Sequence, residues 1–236
     1  MPSTPHLVLQ NVTLTRGARR ALDGISLALA ERRVGLIGRN GSGKSSLLRL
    51  AHGLALPDEG TVKTLGLDTA EHRKSLPRRV GFLFQSPDQQ IIFPTVLEEV
   101  AFGFEERGLA RKAAAQEAAR WLDRFGRSAW ADRPVHELSG GQKQLVCLIS
   151  VLALEPDLVL LDEPFASLDL TNRLAFADEL RRLAPPVVMA SHDLDFLADF
   201  DRVLWLEAGR IRKDGPPSAV LPAYREAARD AGGEVT

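Results

Sequence analysis

The segment Gly38-Arg39-Asn40-Gly41-Ser42-Gly43-Lys44-Ser45 has the residue types and spacing needed to hold a phosphate chain. Glycines let backbone N–H groups approach phosphate oxygens, and a helix that begins at such a loop favours anions through its dipole. The ammonium of Lys44 would neutralise the β- and γ-phosphates, and the hydroxyl of Ser45 would bind Mg²⁺. The residues predicted to contact a nucleotide here are Gly38, Asn40, Gly41, Ser42, Gly43, Lys44, Ser45 and Ser46.

Two adjacent carboxylates, Asp162 and Glu163, follow the apolar run Leu158-Val159-Leu160-Leu161. A carboxylate at the carboxyl end of a strand can hold Mg²⁺ beside a phosphate loop, which is the role predicted for Asp162. Glu163 would polarise the attacking water as a general base. The alternative is a strand that ends in a charged turn. A phosphate loop in the same chain favours the metal and base roles.

A second candidate anion site is formed by Leu138-Ser139-Gly140-Gly141-Gln142. It opens a predicted helix whose apolar residues recur at i, i+3, i+4 and i+7 from Leu145. Serine and glycine at a helix N-terminus can bind an anion, although the segment taken alone favours an ordinary helix cap for Ser139. One γ-phosphate does not need two such sites from one subunit, so this one is expected to serve the nucleotide of a second copy.

The elements that must position these residues alternate between strands and helices. Short apolar runs predict strands at 34–37, 80–84, 158–161 and 187–190, and an imperfect alternation predicts a half-buried strand at 7–14. Residues 203–206 and 208–211 predict a closing hairpin, followed by a short amphipathic helix after Pro217. The stretch 98–133 is rich in Ala, Arg and Glu, and its part 113–125 has high helix propensity.

The predicted fold class is therefore α/β, with a phosphate-loop NTPase core around a mainly parallel sheet, an N-terminal antiparallel β subdomain and an inserted helical arm. We expect a single domain over 1–236. Residues 7–97 and 157–215 would form the core with its β subdomain, 98–156 the helical subdomain, and 216–236 a C-terminal tail.

Composition argues against some classes of partner. The chain has 236 residues and a formal net charge of -1, which lacks the basic excess of nucleic-acid-binding modules, so no nucleic-acid partner is expected. Its single cysteine, Cys147, cannot form an internal disulfide, which favours a reducing cytoplasm. No signal peptide is evident, and the most apolar stretch, 145–154, is shorter than the roughly 20 residues of a membrane helix. Work at a membrane would thus need a membrane partner.

These segments together resemble the ATP-binding-cassette ATPase subunits of transporters, over about residues 7–215. Gln85 matches the family's Q-loop, Ser167-Leu168-Asp169 its D-loop, and His192 its switch histidine. The resemblance implies ATP and Mg²⁺ as ligands. It implies catalytic roles for Glu163, His192 and Gln85, with Gln85 also near the metal, and a place for Asp169 at the nucleotide site.

The resemblance also implies a head-to-tail homodimer with two sandwiched ATP molecules. Each would lie between Lys44 and Ser45 of one subunit and the Ser139-Gly140-Gly141-Gln142 segment of the other. Two positions depart from the family pattern. Arg16 stands where an aromatic residue usually stacks on adenine, a role that a guanidinium can also fill. Leu145 stands where many members have arginine, so an apolar contact is expected there.

Residues 85–103 are similar to the Q-loop region of energy-coupling-factor importers, which take up vitamins and transition-metal ions. That similarity implies a transmembrane coupling subunit, a separate membrane substrate-binding subunit, and a peripheral location on the cytoplasmic face of the membrane. Biotin is the first expected substrate, ahead of cobalt or nickel. Ile91, Ile92 and Phe93 are expected either to line a docking groove or to pack the arm onto the core. The alternatives are an exporter motor and a non-transport cassette ATPase.

Overall fold

The computed structural model describes residues 4–166 and 168–233. Over these residues the chain forms ten strands and seven α-helices. The strands are β1 Leu7–Arg16, β2 Arg19–Leu29, β3 Arg33–Ile37, β4 Glu59–Thr64, β5 Leu67–Asp68, β6 Val80–Leu83, β7 Leu158–Asp162, β8 Val187–Ala190, β9 Arg202–Glu207 and β10 Arg210–Gly215. The helices are α1 Lys44–His52, α2 Val96–Glu106, α3 Arg111–Arg124, α4 Gly140–Ala153, α5 Leu170–Arg182, α6 Leu194–Leu197 and α7 Pro217–Gly233.

The described residues divide into two compact units. The first contains the chain up to Leu76, Leu160–Glu163, and the chain from Pro186 onward. The second contains Pro77–Val159 and Pro164–Pro185. Strand β7 begins in the second unit and ends in the first, so its two carboxylates, Asp162 and Glu163, belong to the first.

The first unit contains an antiparallel sheet in the order β2-β1-β4-β5. Leu7 lies opposite Leu29 and Leu14 opposite Leu22, and all four side chains are buried. The alternation of apolar and polar residues in β1 is imperfect because the register shifts after Leu9, where Asn11 has a left-handed φ of 50°. This sheet is the expected N-terminal antiparallel subdomain.

The first unit also contains strands in the order β10-β9-β3-β8-β7. β3 pairs in parallel with both β8 and β9. The backbone N–H of Glu163, after β7, donates to the carbonyl of Ala190 at the end of β8 (2.9 Å). Because parallel strands bring their carboxyl ends to one edge, the segments that follow β3, β7 and β8 meet there. This edge holds the phosphate loop, the acidic pair and His192.

Strands β9 and β10 form the predicted closing hairpin. Ala208 and Gly209 connect them, with φ angles of 48° and 80°. Two successive residues at positive φ match the twist of tight two-residue hairpins. The helix after Pro217 is longer than the expected short one, since α7 contains 17 residues with Pro222 inside it.

Helices α2, α3 and α4 form the centre of the second unit, and they are the expected helical arm with the helix that follows it. The rings of Phe104 and Trp121 meet edge to face, with centroids 5.7 Å apart. Gly103 lets α2 approach α4, because a Cβ atom there would lie 2.9 Å from the carbonyl oxygen of Ser150. Helix α4 is buried on all sides from Gln144 to Ala153, more fully than its predicted single apolar face.

The predicted fold class is confirmed by this combination of an antiparallel sheet, a mainly parallel sheet and a helical insertion. Among the described residues, no helix is both long and apolar enough to cross a bilayer.

Candidate active site

The phosphate loop, residues 38–43, connects β3 to α1 in the first unit. Gly38 and Gly43 have φ angles of 145° and 113°, which side-chain-bearing residues rarely adopt. A Cβ atom on Gly43 would lie 2.5 Å from the carbonyl oxygen of Ala21, and one on Gly38 would overlap the carbonyl oxygen of Leu206. Glycine is therefore required at both ends, because the surrounding backbone approaches too closely for a side chain.

Lys44 folds back over this loop from the first turn of α1. Its side chain is only 6% exposed, and its Nζ donates to the carbonyl of Gly38 at 2.7 Å. Burial lowers the pKa of Lys44, while the carboxylates of Glu163 and Asp162 oppose that shift. The lysine is thus a buried cation held by loop carbonyl and acidic groups, in a position to meet a phosphate oxygen.

Ser45 and Asp162 meet although they are 117 residues apart in the sequence. The Ser45 hydroxyl donates to Oδ1 of Asp162 at 2.9 Å. Burial raises the pKa of Asp162, and the hydrogen bond from Ser45 and the charges of Arg49 and Lys44 oppose it. The hydroxyl of Ser45 and the carboxylate of Asp162 both provide hard oxygen atoms, which are suitable ligands for Mg²⁺.

Glu163 lies at the centre of the site and has a left-handed φ of 50°. Its Oε2 accepts from the backbone N–H of His192 at 3.2 Å. Its Oε1 lies 3.2 Å from Nε2 of His192 and 3.7 Å from Nζ of Lys44, yet this buried oxygen has no aligned hydrogen bond with a described group. A strained backbone and a buried, unsatisfied carboxylate oxygen are typical of a functional site.

His192 approaches Glu163 and also the phosphate loop. Its Nε2 lies 3.2 Å from Oδ1 of Asn40, so the ring connects the segment after β8 to the loop after β3. Ser42 is buried and its hydroxyl oxygen has no hydrogen bond within the described residues, whereas Gly41 and Asn40 are exposed. Ser46 is half-buried in the first turn of α1.

The remaining predicted residues belong partly to the first unit and partly to the second. Arg16 is exposed at the end of β1, opposite Arg19 of β2. In the second unit Gln85 is exposed in the loop after β6. Asp169 caps α5 by accepting from the N–H of Asn172 at 2.8 Å. Ser167 lies outside the described residues.

The Ser139–Gln142 segment forms a reciprocal cap on α4. Ser139 Oγ accepts from the N–H of Gln142 at 3.3 Å, and Gln142 Oε1 accepts from the N–H of Ser139 at 3.1 Å. Ser139 thus forms the ordinary helix cap that the sequence offered as its alternative role. Ser139 and Gly140 are nevertheless exposed, and Gly141 is buried beside Asn172. The start of α4 is therefore exposed at Ser139 and Gly140, where the N–H groups of a helix's first turn have no partner within the helix itself.

Two contacts of α4 were not predicted from the sequence. Lys143 pairs with Asp88 at 2.7 Å, and Nε2 of Gln144 donates to the carbonyl of Phe84 at 3.1 Å. Together they tie the helix to the segments on both sides of Gln85. The sequence signal that could have drawn attention to Lys143 and Gln144 is their position directly after the Ser139–Gln142 segment.

Tyr224 of α7 was also missed. Burial raises its pKa, the charges of Glu163 and Glu207 act in the same direction, and Arg39 of the phosphate loop opposes them. Its ring meets Trp205 edge to face, with centroids 5.2 Å apart. No local pattern relates the C-terminal helix to Glu163, since the electrostatic influence of Glu163 on Tyr224 depends on the tertiary structure.

The buried lysine, the Ser45–Asp162 pair and the Glu163–His192 pair around a glycine loop define a phosphate-loop ATPase. The family model described as ABC transporter matches residues 22–166. The chain therefore belongs to the ABC transporter family, as an ATP-binding cassette that hydrolyses ATP.

Known relatives cover nearly the whole chain. The biotin transport ATP-binding protein of Rhodobacter capsulatus is 51% identical over 214 residues, covering 91% of this chain and 92% of the relative. The structure of cbiO1 from Clostridium perfringens, part of the ABC transporter complex cbiONQ, aligns with a TM-score of 0.81 at 27% identity, covering 99% of this chain and 96% of that one. A dimeric ATP-binding cassette in a post-hydrolysis state with ADP and Pi aligns with a TM-score of 0.79 at 28% identity, covering 89% and 98%.

Proposed function

We propose that this chain is the ATP-hydrolysing subunit of a biotin importer of the energy-coupling-factor type. The observation that carries the proposal is the similarity to the biotin transport protein of Rhodobacter capsulatus, which extends over almost the full length of both chains. The chain would lie on the cytoplasmic face of the membrane. Its partners would be a transmembrane coupling subunit and a separate membrane protein that binds biotin.

Hydrolysis would proceed at the edge of the parallel strands. The ammonium of Lys44 would turn from the carbonyl of Gly38 to the β- and γ-phosphates, because phosphate oxygens accept hydrogen bonds from an ammonium as the carbonyl does. Glu163 would take a proton from the attacking water through Oε1, and His192 would donate to the γ-phosphate. Ser45 and Asp162 would hold Mg²⁺, which would neutralise charge on the phosphates.

A second copy of the chain would complete each site. The exposed first turn of α4 has N–H donors and Ser139, which suit the γ-phosphate bound by a partner's phosphate loop. The solved cassette with ADP and Pi is itself a dimer, which supports this arrangement. ATP would hold two copies together, and hydrolysis would release them.

Biotin uptake tests the proposal. The chain would be expressed, together with the membrane proteins that co-purify with it, in a biotin-auxotrophic bacterial host that lacks its own biotin importer. We expect accumulation of labelled biotin with the wild-type chain and none with the Glu163→Gln chain. Accumulation of nickel or cobalt without biotin would assign a metal importer instead. Loss of preloaded biotin from the cells would indicate an exporter.

A small apolar surface near Gln85 is suited to the membrane partner. Ile92 is 67% exposed, and Phe93 is half-buried against Phe102, with ring centroids 5.3 Å apart. The buried carboxylate of Glu99 accepts from the N–H groups of Ile92 and Phe93 at 3.0 and 2.9 Å. This carboxylate fixes the backbone of the segment that carries the exposed Ile92 side chain.

Ile92→Glu should abolish co-purification with the transmembrane subunit while the purified chain stays folded and binds ATP. The reason is that an exposed side chain contributes little to folding, whereas a charge opposes burial against a membrane partner. Pull-down from detergent-solubilised membranes measures the effect, and Leu54→Glu is the matched control because Leu54 is an exposed leucine (40%) outside this surface. Retained co-purification of the Ile92 variant would place the docking surface elsewhere, and its unfolding would make Ile92 a core residue.

A further inference from the structure

The beginning of β2 is fixed to the phosphate loop by the backbone. The N–H of Asp23 donates to the carbonyl of Gly209 at 2.9 Å, and the N–H of Gly209 donates to the carbonyl of Ser42 at 3.1 Å. The carbonyl of Ala21 closely approaches Gly43, as described above. The backbone at this end of β2 therefore has a defined position beside the loop.

Arg19, the first residue of β2, lies over the outer side of the loop. A Cβ atom built on Gly41 would be 2.9 Å from Nη1, 3.7 Å from Cζ and 3.8 Å from Nη2 of its guanidinium. The guanidinium thus covers the exposed face of Gly41, and a side chain at position 41 would displace it.

The neighbouring arginine has a different role. Arg20 pairs with Asp23 at 2.8 Å, and Asp23 also pairs with Arg210 at 2.7 Å. The pKa of the Asp23 carboxyl lies below its usual value because it accepts hydrogen bonds from Arg210 and Arg20. Within residues 4–166 and 168–233, no carboxylate lies within ion-pair distance of Arg19. Of the two adjacent cations, one is neutralised and the other is unpaired beside the phosphate loop.

We infer that Arg19 binds the triphosphate of the nucleotide from the solvent side of the loop. The inference rests on the proposed nucleotide binding and adds a contact that the loop motif does not contain. A guanidinium presents parallel N–H donors that match the oxygens of a phosphate, and it stays charged at any physiological pH. Lys44 would approach the phosphates from the buried side, and Arg19 would supply a second positive charge from the solvent side. Arg16, three residues earlier, would then contact the adenine ring of the nucleotide.

The test compares Arg19→Ala with Arg20→Ala in the full chain by calorimetric titration with MgATP and MgGTP. Loss of a charge-assisted contact should weaken binding of both nucleotides by about 10- to 100-fold in Arg19→Ala. Arg20→Ala removes the same charge from the adjacent residue and should change affinity by about twofold or less, since it loses only a surface ion pair. Arg19→Lys should recover part of the loss, because the charge remains without the fork.

Several results would overturn the inference. They are unchanged affinity in Arg19→Ala, equal losses in the Arg19 and Arg20 variants, and a loss confined to ATP, which would mean a contact with the base. If the wild-type chain binds neither nucleotide, the proposed function itself fails, and that outcome is distinguished by the wild-type titration alone. Thermal unfolding of each variant shows whether the hairpin is intact, and the Lys variant carries the comparison if the Ala variant does not fold.

Discussion

Glu163→Gln should lower ATP turnover by about 10²- to 10⁴-fold while retaining ATP binding. Glutamine keeps the shape of the side chain. It also keeps an oxygen that can accept the hydrogen bond that the backbone N–H of His192 donates to Glu163 at 3.2 Å. It cannot accept a proton from water. The buried oxygen near Lys44 and His192 would therefore lose its chemical role without a change in packing. Because binding persists and hydrolysis stops, the variant should also accumulate as an ATP-bound dimer.

Steady-state phosphate release and size-exclusion chromatography with ATP measure the two effects. Glu155→Gln is the control, because Glu155 is a carboxylate whose side chain is 60% exposed and paired with Arg107 on the surface. Its turnover should stay near the wild-type rate. Wild-type turnover in Glu163→Gln would exclude this residue as the base, and another group would have to activate the water.

Much of the fold could be predicted because its patterns are local. Short apolar runs gave the positions of β6, β7 and β8, and 113–125 lies almost wholly within α3. The pairing of β4 with β1 was not predictable in this way, since it joins Leu9 to Val62 and no local period specifies which strands meet. The full burial of α4 was underestimated for the same reason, because periodicity reports one apolar face and not the neighbours that cover the others.

The candidate site could be proposed from residue type and position, but its contacts could not. Lys44, Ser45, Asp162, Glu163 and His192 were each found from a motif. The sequence does not state that Glu163 adopts a left-handed backbone or that one of its oxygens has no hydrogen bond within the described residues. Nor does it distinguish Arg19 from Arg20, which are adjacent and chemically identical. The pairing of Arg20 with Asp23 and the position of Arg19 beside Gly41 distinguish them.

Mixing two inactive chains tests whether a second copy completes each site. Lys44→Ala should abolish turnover because the buried cation of the phosphate loop is lost. Ser139→Arg should abolish it because a large cation fills the exposed first turn of α4. In a heterodimer of the two, one site would combine the intact Lys44 of one chain with the intact Ser139 of the other. After free exchange of subunits, about a quarter of the wild-type sites should be restored, since half of the dimers are mixed and each has one good site.

The control mixture combines Lys44→Ala with Glu163→Gln. Both residues belong to the first unit of the same chain, where they lie 3.7 Å apart, so no pairing of these two chains produces an intact site. Phosphate release should therefore return in the Lys44/Ser139 mixture and stay absent in the Lys44/Glu163 mixture. Recovery in both would indicate contaminating activity or exchange of something other than subunits. If neither mixture recovers under conditions in which dimers form, each chain must work with its own Ser139 or without it, and the shared site is wrong.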